Sequence, residues 1–289
     1  MNNKLFLEKN IPDLCIQSIV QKQGDEHCVI EVNNTWIFRF AKNSDVQQHM
    51  GIEVQLLKML ENKIACSIPK VAYYFPDAYC FGYKKILGVP LAATMYEELT
   101  EIQKKQFADD FAQFLYELHS SITLDAAEKI GLTRADWPLK PDILQSRLSK
   151  VLTDKHLQEL FVHFINEYQR IIDADKKLEL VHNDLHADNI LIDPATKKLS
   201  GSIDFTSAAI DTVYHEFRYL HLIDMELIPL AIQAYNQKSG ENLAVGNAYI
   251  YCMATEFSRL TEALEKEDFP KTAGIKDRIG KLGAFISTF

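Results

Sequence analysis

The sequence has no stretch of about 18 or more apolar residues, so no membrane-spanning helix is expected. It lacks a basic excess: 31 Lys and Arg stand against 40 Asp and Glu, a formal net charge of −9. Without a basic stripe, nucleic acid is a poor partner, whereas an acidic chain favours cationic ligands. Paired cysteines are missing too. Cys15, Cys28, Cys66, Cys80 and Cys252 are scattered singly, with no Cys-x-x-Cys among them. An odd, unpaired set argues against a secreted disulfide framework and a zinc site, and fits reduced thiols in the cytoplasm. Met1-Asn2-Asn3-Lys4 leads into no sustained apolar run, so no secretory leader is expected, and Asn2 departs from the myristoylation pattern. These absences leave a cytoplasmic protein, a monomer or weak dimer, with no nucleic-acid and no membrane partner.

What is present is a globular balance of 47% hydrophobic and 25% charged residues over 289 positions, enough for two lobes. His27–Val32 and Thr35–Phe40 are β-prone runs joined by Asn33-Asn34, a pair that tolerates positive φ. Alternation puts Trp36, Phe38 and Phe40 on one face of the second run and Ile37 and Arg39 on the other. A helix capped by Asp45 is expected to about Glu61, with Val46, Met50, Val54, Leu57 and Leu60 at helical spacing. Val71–Phe75 and Tyr79–Lys84 read as further strands before Gly88 and Pro90 break the chain.

Beyond Glu98 the pattern turns helical. Thr100 is expected to cap a helix ending near His119, with an apolar stripe of Ile102, Phe107, Phe111, Phe114, Leu115 and Leu118. Helices are also expected near 141–150, near 154–173 and from about 212 onward, around a β island at Leu178–Asp204. The fold class is therefore α+β and two-lobed: a small mixed, β-rich lobe at 1–87 and a larger, mostly helical lobe at 88–289. No long linker separates them, so they should pack directly on one another.

The informative segment is His182-Asn183-Asp184-Leu185-His186-Ala187-Asp188-Asn189, followed by a hairpin that delivers Asp204-Phe205. This spacing can place Asp184, Asn189 and Asp204 around one point. Phosphoryl transfer needs such a set: a carboxylate to orient a hydroxyl and take its proton, and oxygen ligands for a divalent cation. Taken singly, each would be an ordinary turn residue. His182 and His186 also admit a metallohydrolase reading, although no further clustered His or Cys accompanies them.

The loop resembles the catalytic motif of the aminoglycoside phosphotransferase and choline kinase superfamily, whose fold is similar to that of protein kinases. His182, Asp184 and Asn189 meet its His-x-Asp-x-x-x-x-Asn, and Ile203-Asp204-Phe205 its metal-binding segment. Gly82–Leu91 is similar to the interlobe hinge of the aminoglycoside 2″-phosphotransferases, and Phe114–Ser120 to the helix that follows it. The resemblance implies a kinase-like fold, Asp184 as catalytic base, and Asn189 and Asp204 as Mg²⁺ ligands. It implies ATP or GTP held at the hinge, around Lys85 and Leu87. His182 becomes a structural residue, and Asp211 a brace near the catalytic loop. The family's phosphate-contacting Lys falls at Arg39, a departure in reach and shape, with Glu53 as its partner. The phosphate loop departs as well, since only Gly24 lies within Gln21–His27, beside Asp25 and Glu26.

The expected activity is transfer of a γ-phosphoryl group to a small-molecule hydroxyl, foremost that of a cationic aminoglycoside held by carboxylates, with Glu216, Asp224 and Glu256 as candidates. A kinase for choline, homoserine, a sugar or a macrolide keeps the chemistry and changes the acceptor. Arg39 and the poor glycine loop also motivate a silent nucleotide-binding protein.

Overall fold

A computed structural model describes residues 3–24 and 26–286. Helix α1 (Asn3–Asn10) precedes strands β1 (Ile19–Gln23), β2 (His27–Val32) and β3 (Trp36–Ala41). The turn between β2 and β3 carries Asn33 and Asn34 at φ 54° and 51°, and Val32 faces Trp36 across it. Thr35 therefore belongs to the turn and not to the strand. Helix α2 (Ser44–Leu60) follows. Its cap is Asn43, whose side chain accepts the Val46 amide at 3.0 Å, so the helix begins before Asp45. Strands β4 (Val71–Phe75) and β5 (Cys80–Lys84) complete an antiparallel sheet ordered β1-β2-β3-β5-β4.

The predicted alternation along β3 is what divides this lobe. Phe38 and Phe40 are buried with Leu7, Ile30 and Val32 beneath α1, while Arg39 points to the opposite face. Gly82 makes the apolar face possible, because a Cβ there would lie 2.4 Å from the Phe38 ring.

The second lobe opens with β6 (Val89–Pro90), α3 (Ala93–Glu97) and α4 (Glu101–Ser121). Thr100 and Gln103 form a reciprocal capping box at the start of α4. Phe107, Phe111, Phe114, Leu115 and Leu118 are buried as expected, but Ile102 is 82% exposed. Ile102 lies five positions before Phe107, and at 3.6 residues per turn that offset leaves the buried stripe. Helices α5 (Leu124–Lys129), α6 (Pro141–Leu148) and α7 (Lys155–Ala174) come next, the last capped by Asp154.

A β region then holds β7 (Glu179–Val181), β8 (Ile190–Ile192), β9 (Leu199–Ser202) and β10 (Ala209–Asp211). β10 pairs with β7, and β8 lies between β6 and β9. Continuous helix does not resume at 212. Two short 3₁₀ turns, at Val213–Glu216 and Leu220–Leu222, come before α8 (Leu227–Ser239), α9 (Val245–Glu265) and α10 (Phe269–Ile286). Packing dominates here: Val213, Tyr214, Phe217 and Leu220 are all buried, at spacings that the tighter turns satisfy.

The lobes share one core, in which Met50, Val54, Phe81 and Tyr83 join Leu91, Phe107 and Phe205. Besides the Lys84–Gly88 linker, the chain after α2 crosses onto β9. Ser67 donates its amide to Ser200 at 3.2 Å and accepts that of Ser202 at 2.9 Å. Gly201 permits the crossing, since a Cβ there would lie 2.4 Å from the Ser67 carbonyl oxygen. Among the described residues no helix is long and apolar enough to cross a membrane.

Gly201→Val should therefore lower stability by about 1–3 kcal/mol through overpacking against rigid backbone, seen as a lower urea midpoint at unchanged m-value. An unshifted midpoint would show that the crossing yields freely.

Candidate active site

The loop between β7 and β8 is shaped from beneath. The backbone amides of His182 and Asn183 donate to the two carboxylate oxygens of Glu216, at 2.7 and 3.1 Å. Asn183 is left-handed (φ 64°), a conformation Asn adopts more readily than most residues. Its side chain accepts from His215 Nδ1 at 2.8 Å and donates to the Ser207 carbonyl at 3.0 Å. This reversal turns Asp184 outward, leaving its side chain 27% exposed. His182 is buried on the Phe205 ring and donates Nε2–H to the Ile203 carbonyl at 3.1 Å. Its Nδ1 faces the Asp184 amide at 3.4 Å, so both ring nitrogens are committed and neither serves a metal.

The hairpin brings the remaining two residues alongside. The Asn189 side-chain amide donates to the Asp184 carbonyl at 2.9 Å and to its Oδ2 at 3.0 Å. The Asn189 carbonyl accepts the Ile203 amide at 3.1 Å. Asp204 follows directly, again left-handed (φ 66°). Burial works against charge on the Asp204 carboxyl. Arg39 and a hydrogen bond from Thr206 overcome it and hold the group down at about 2. His186 Nε2 lies 3.5 Å from Asp184 Oδ2, and the hydrogen bond between them raises the imidazole pKa.

Arg39 reaches across the interlobe cleft. Nη1 pairs with Glu53 at 2.6 Å and Nη2 with Asp204 at 2.6 Å. Nη2 also lies 3.1 Å from His27 Nδ1, and burial followed by Arg39 pushes that imidazole down to about 4. Glu53 accepts the Phe205 amide at 3.1 Å and the Thr206 hydroxyl at 3.0 Å. One guanidinium thus serves a carboxylate of each lobe, a task suited to a planar fork.

Several expected contacts fall elsewhere. Lys85 pairs with Glu31 at 2.9 Å and Asn34 at 2.7 Å, and its amide donates to the Thr35 carbonyl at 2.7 Å, so that amide is closed to a purine. Leu87 stands 84% exposed in the linker. Glu216 has no exposed surface and is consumed by the catalytic loop and His119. Glu256 is buried as well, bound by His221 at 2.9 Å, Arg259 at 3.3 Å and Arg278 at 2.8 Å. Asp224 lies 4.0 Å from Lys104, at the foot of α4. None of these three carboxylates lines the cavity beside Asp184, because each compensates a cation or an amide of the lobe itself. Asp211 holds Arg134 by two bonds of 3.0 and 2.9 Å and the Ala135 amide at 3.2 Å, so it anchors a cavity wall. Thr206 and Arg218 escaped sequence reading. The only signal for Glu216 as a brace was an acid set among buried apolar neighbours.

A cavity of about 860 Å³ opens beside Asp184. Asn43, Val46 and His49 line it together with Gly131–Trp137 and with Arg218, Tyr219, Arg259 and Glu262. Glu26 lines it too, its carboxyl raised by burial and then by nearby Asp204.

Among the described residues no group of three or more His, Cys, Asp and Glu could hold a metal ion alone. The donors present are one carboxylate, Asp204, and one amide oxygen, Asn189. That hard, oxygen-only pair fits Mg²⁺, which keeps waters and takes further ligands from phosphates.

Lobes, cleft and loop together define a kinase-like phosphotransferase. The phosphotransferase enzyme family (APH) matches residues 25–249, and the chain belongs to that family. It is 23% identical over 217 residues to the uncharacterized protein YcbJ of Bacillus subtilis (strain 168), covering 71% of this chain and 68% of YcbJ. The GDP complex of wild-type aminoglycoside 2'-phosphotransferase-IIIa has a TM-score of 0.84 at 23% identity, over 99% of this chain and 98% of that one. The apoenzyme of macrolide 2'-phosphotransferase MphH from Brachybacterium faecium has a TM-score of 0.71 at 15% identity, over 96% and 98%. At these identities the likeness establishes the fold.

Arg39→Met should cost about 3–5 kcal/mol, because it strands the buried Glu53 carboxylate, and adding Glu53→Gln should recover part of the loss. Equal urea midpoints for the single and double variants would contradict that coupling. Burial opposes charge on Glu256, but His221 and Arg278 hold its carboxyl down at about 2, from an ordinary 4.5. Its stabilisation is complete above about pH 4.5 and is lost as pH falls toward 2. Glu256→Gln should flatten the stability–pH curve across that window by about 2–3 kcal/mol. Parallel curves for the two proteins, from urea melts at stepped pH, would remove the linkage.

Proposed function

We propose that the enzyme transfers the γ-phosphoryl group of ATP or GTP to a hydroxyl of a small molecule, with Asp184 as base and Asn189 and Asp204 as the Mg²⁺ ligands. One observation carries the reading: the Asn189 amide is locked onto Asp184 Oδ2, and Asp204 is delivered beside it by a hairpin bonded to the Asn189 carbonyl. Bound Mg²⁺ would offset phosphate charge there. Asp184 accepts the hydroxyl proton as the acceptor oxygen bonds to phosphorus and the bond to the nucleoside diphosphate breaks. Asn189 ties one oxygen, Oδ2, and so fixes the orientation of a carboxylate that lines the cavity. Arg39 keeps Asp204 ionised. The GDP bound in the aminoglycoside-phosphotransferase neighbour supports a purine donor. Lys85 and Leu87 remain part of the proposed donor site only through the linker backbone around them.

An aminoglycoside acceptor draws its support from the names of neighbours such as the kanamycin complex of APH(2")-IIia. The carboxylates assigned to it here, Glu216, Asp224 and Glu256, lie off the cavity.

Asp184→Asn should lower kcat about a hundredfold to ten-thousandfold while calorimetric affinity for MgATP or MgGTP stays within a few-fold. Near-wild-type turnover would refute the assignment of the base.

A further inference from the structure

One wall of the cavity is basic. Arg218 is only 2% exposed, and its Nη2 donates to the Asn183 carbonyl. Its Nε and Nη1 are buried with no hydrogen-bond partner. Unpaired donors on a buried cation are costly, and such a group marks a place where an acceptor oxygen is wanted. The Tyr219 ring lies beneath this guanidinium, 4.3 Å from centroid to carbon, and that of Arg259 lies 5.2 Å from the same ring. Arg259 shares the Glu256 carboxylate with His221 and Arg278. Glu262 lines the cavity here too, so the guanidiniums of Arg218, Arg259 and Arg278 stand against the two carboxylates Glu256 and Glu262 and leave a net positive charge along this wall. Asp136, by contrast, stands exposed at the rim.

We propose that the acceptor carries an oxyanion, bound by Arg218 and Arg259, a few bonds from the hydroxyl that Asp184 deprotonates. The proposal rests on the phosphoryl-transfer reading and names its substrate class. The short spacing follows from the loop: the carbonyl held by Arg218 belongs to the residue immediately before Asp184. The two guanidiniums offset the repulsion between the acceptor's anion and the Asp184 carboxylate, and a planar fork suits carboxylate and phosphate alike. A polycation would bring its ammonium groups against the same two arginines.

A matched set of acceptors tests this, each assayed for nucleoside diphosphate release with MgATP and MgGTP: glycerate, glycerol 3-phosphate, glycerol and kanamycin. The proposal expects KM for glycerate or glycerol 3-phosphate to be lower than for glycerol by about tenfold or more, with the two anions separating carboxylate from phosphate recognition. It expects the gap to shrink about tenfold in Arg259→Gln, with kcat changing less. Equal KM for glycerol and both anions, preference for kanamycin, turnover of none of the four, or a gap unchanged in Arg259→Gln would each overturn it. The phosphoryl-transfer reading is scored separately, by acceptor-independent nucleotide hydrolysis. Hydrolysis abolished by Asp184→Asn keeps that reading even where the charge preference fails, and hydrolysis indifferent to Asp184→Asn defeats it.

Discussion

A carboxylate with no exposed surface holds the catalytic loop in place. Burying Glu216 costs solvation, and the loop repays it with two backbone amides, at 2.7 and 3.1 Å, alongside His119. Those amides belong to the two residues before Asp184, so the anchor sets where that side chain emerges. From there the left-handed Asn183 reverses the chain, and Asp184 emerges into the cavity. The 3₁₀ turn carrying Glu216 is in turn packed on α9, the most deeply buried helix of the lobe. The active-site loop is thus rigid because it is bonded to the core.

Arg39 performs the complementary task from the other lobe. Its strand places it opposite the aromatic face that α1 covers, and its fork joins α2 through Glu53 to the catalytic lobe through Asp204. A lysine would have to serve both carboxylates from one nitrogen, whereas the fork gives each its own, Nη1 to Glu53 and Nη2 to Asp204. The departure from the family's lysine therefore coincides with a tight, two-sided ion pair across the cleft.

The motif from His182 to Asp204 was legible because its parts are local: a loop of eight residues and one hairpin. The same holds for β2 and β3, for the cap at Thr100, and for the buried phenylalanines of α4. Reading failed where distant partners decide. The helical tail displays Glu216, Asp224 and Glu256 as if they faced solvent, yet two are neutralised inside the lobe and the third lies near Lys104. Ile102 belongs to the expected apolar stripe of α4 yet sits on the wrong side by angle. The 3₁₀ turns after 212 carry no breaker in sequence. They fit the burial of Val213, Tyr214, Phe217 and Leu220, and they let Glu216 meet loop amides more than thirty positions upstream. Arg218 gave no signal at all, since a lone arginine is mute until its surroundings are known.

The crossing at Ser67 has a mechanical meaning. The halves are joined covalently at the Lys84–Gly88 linker, and a second backbone seam forms where Ser67 lies on the Gly201 strand. A seam of backbone bonds beside the covalent hinge resists sliding of one half past the other, as a second pin steadies a joint that one pin would leave free to swivel.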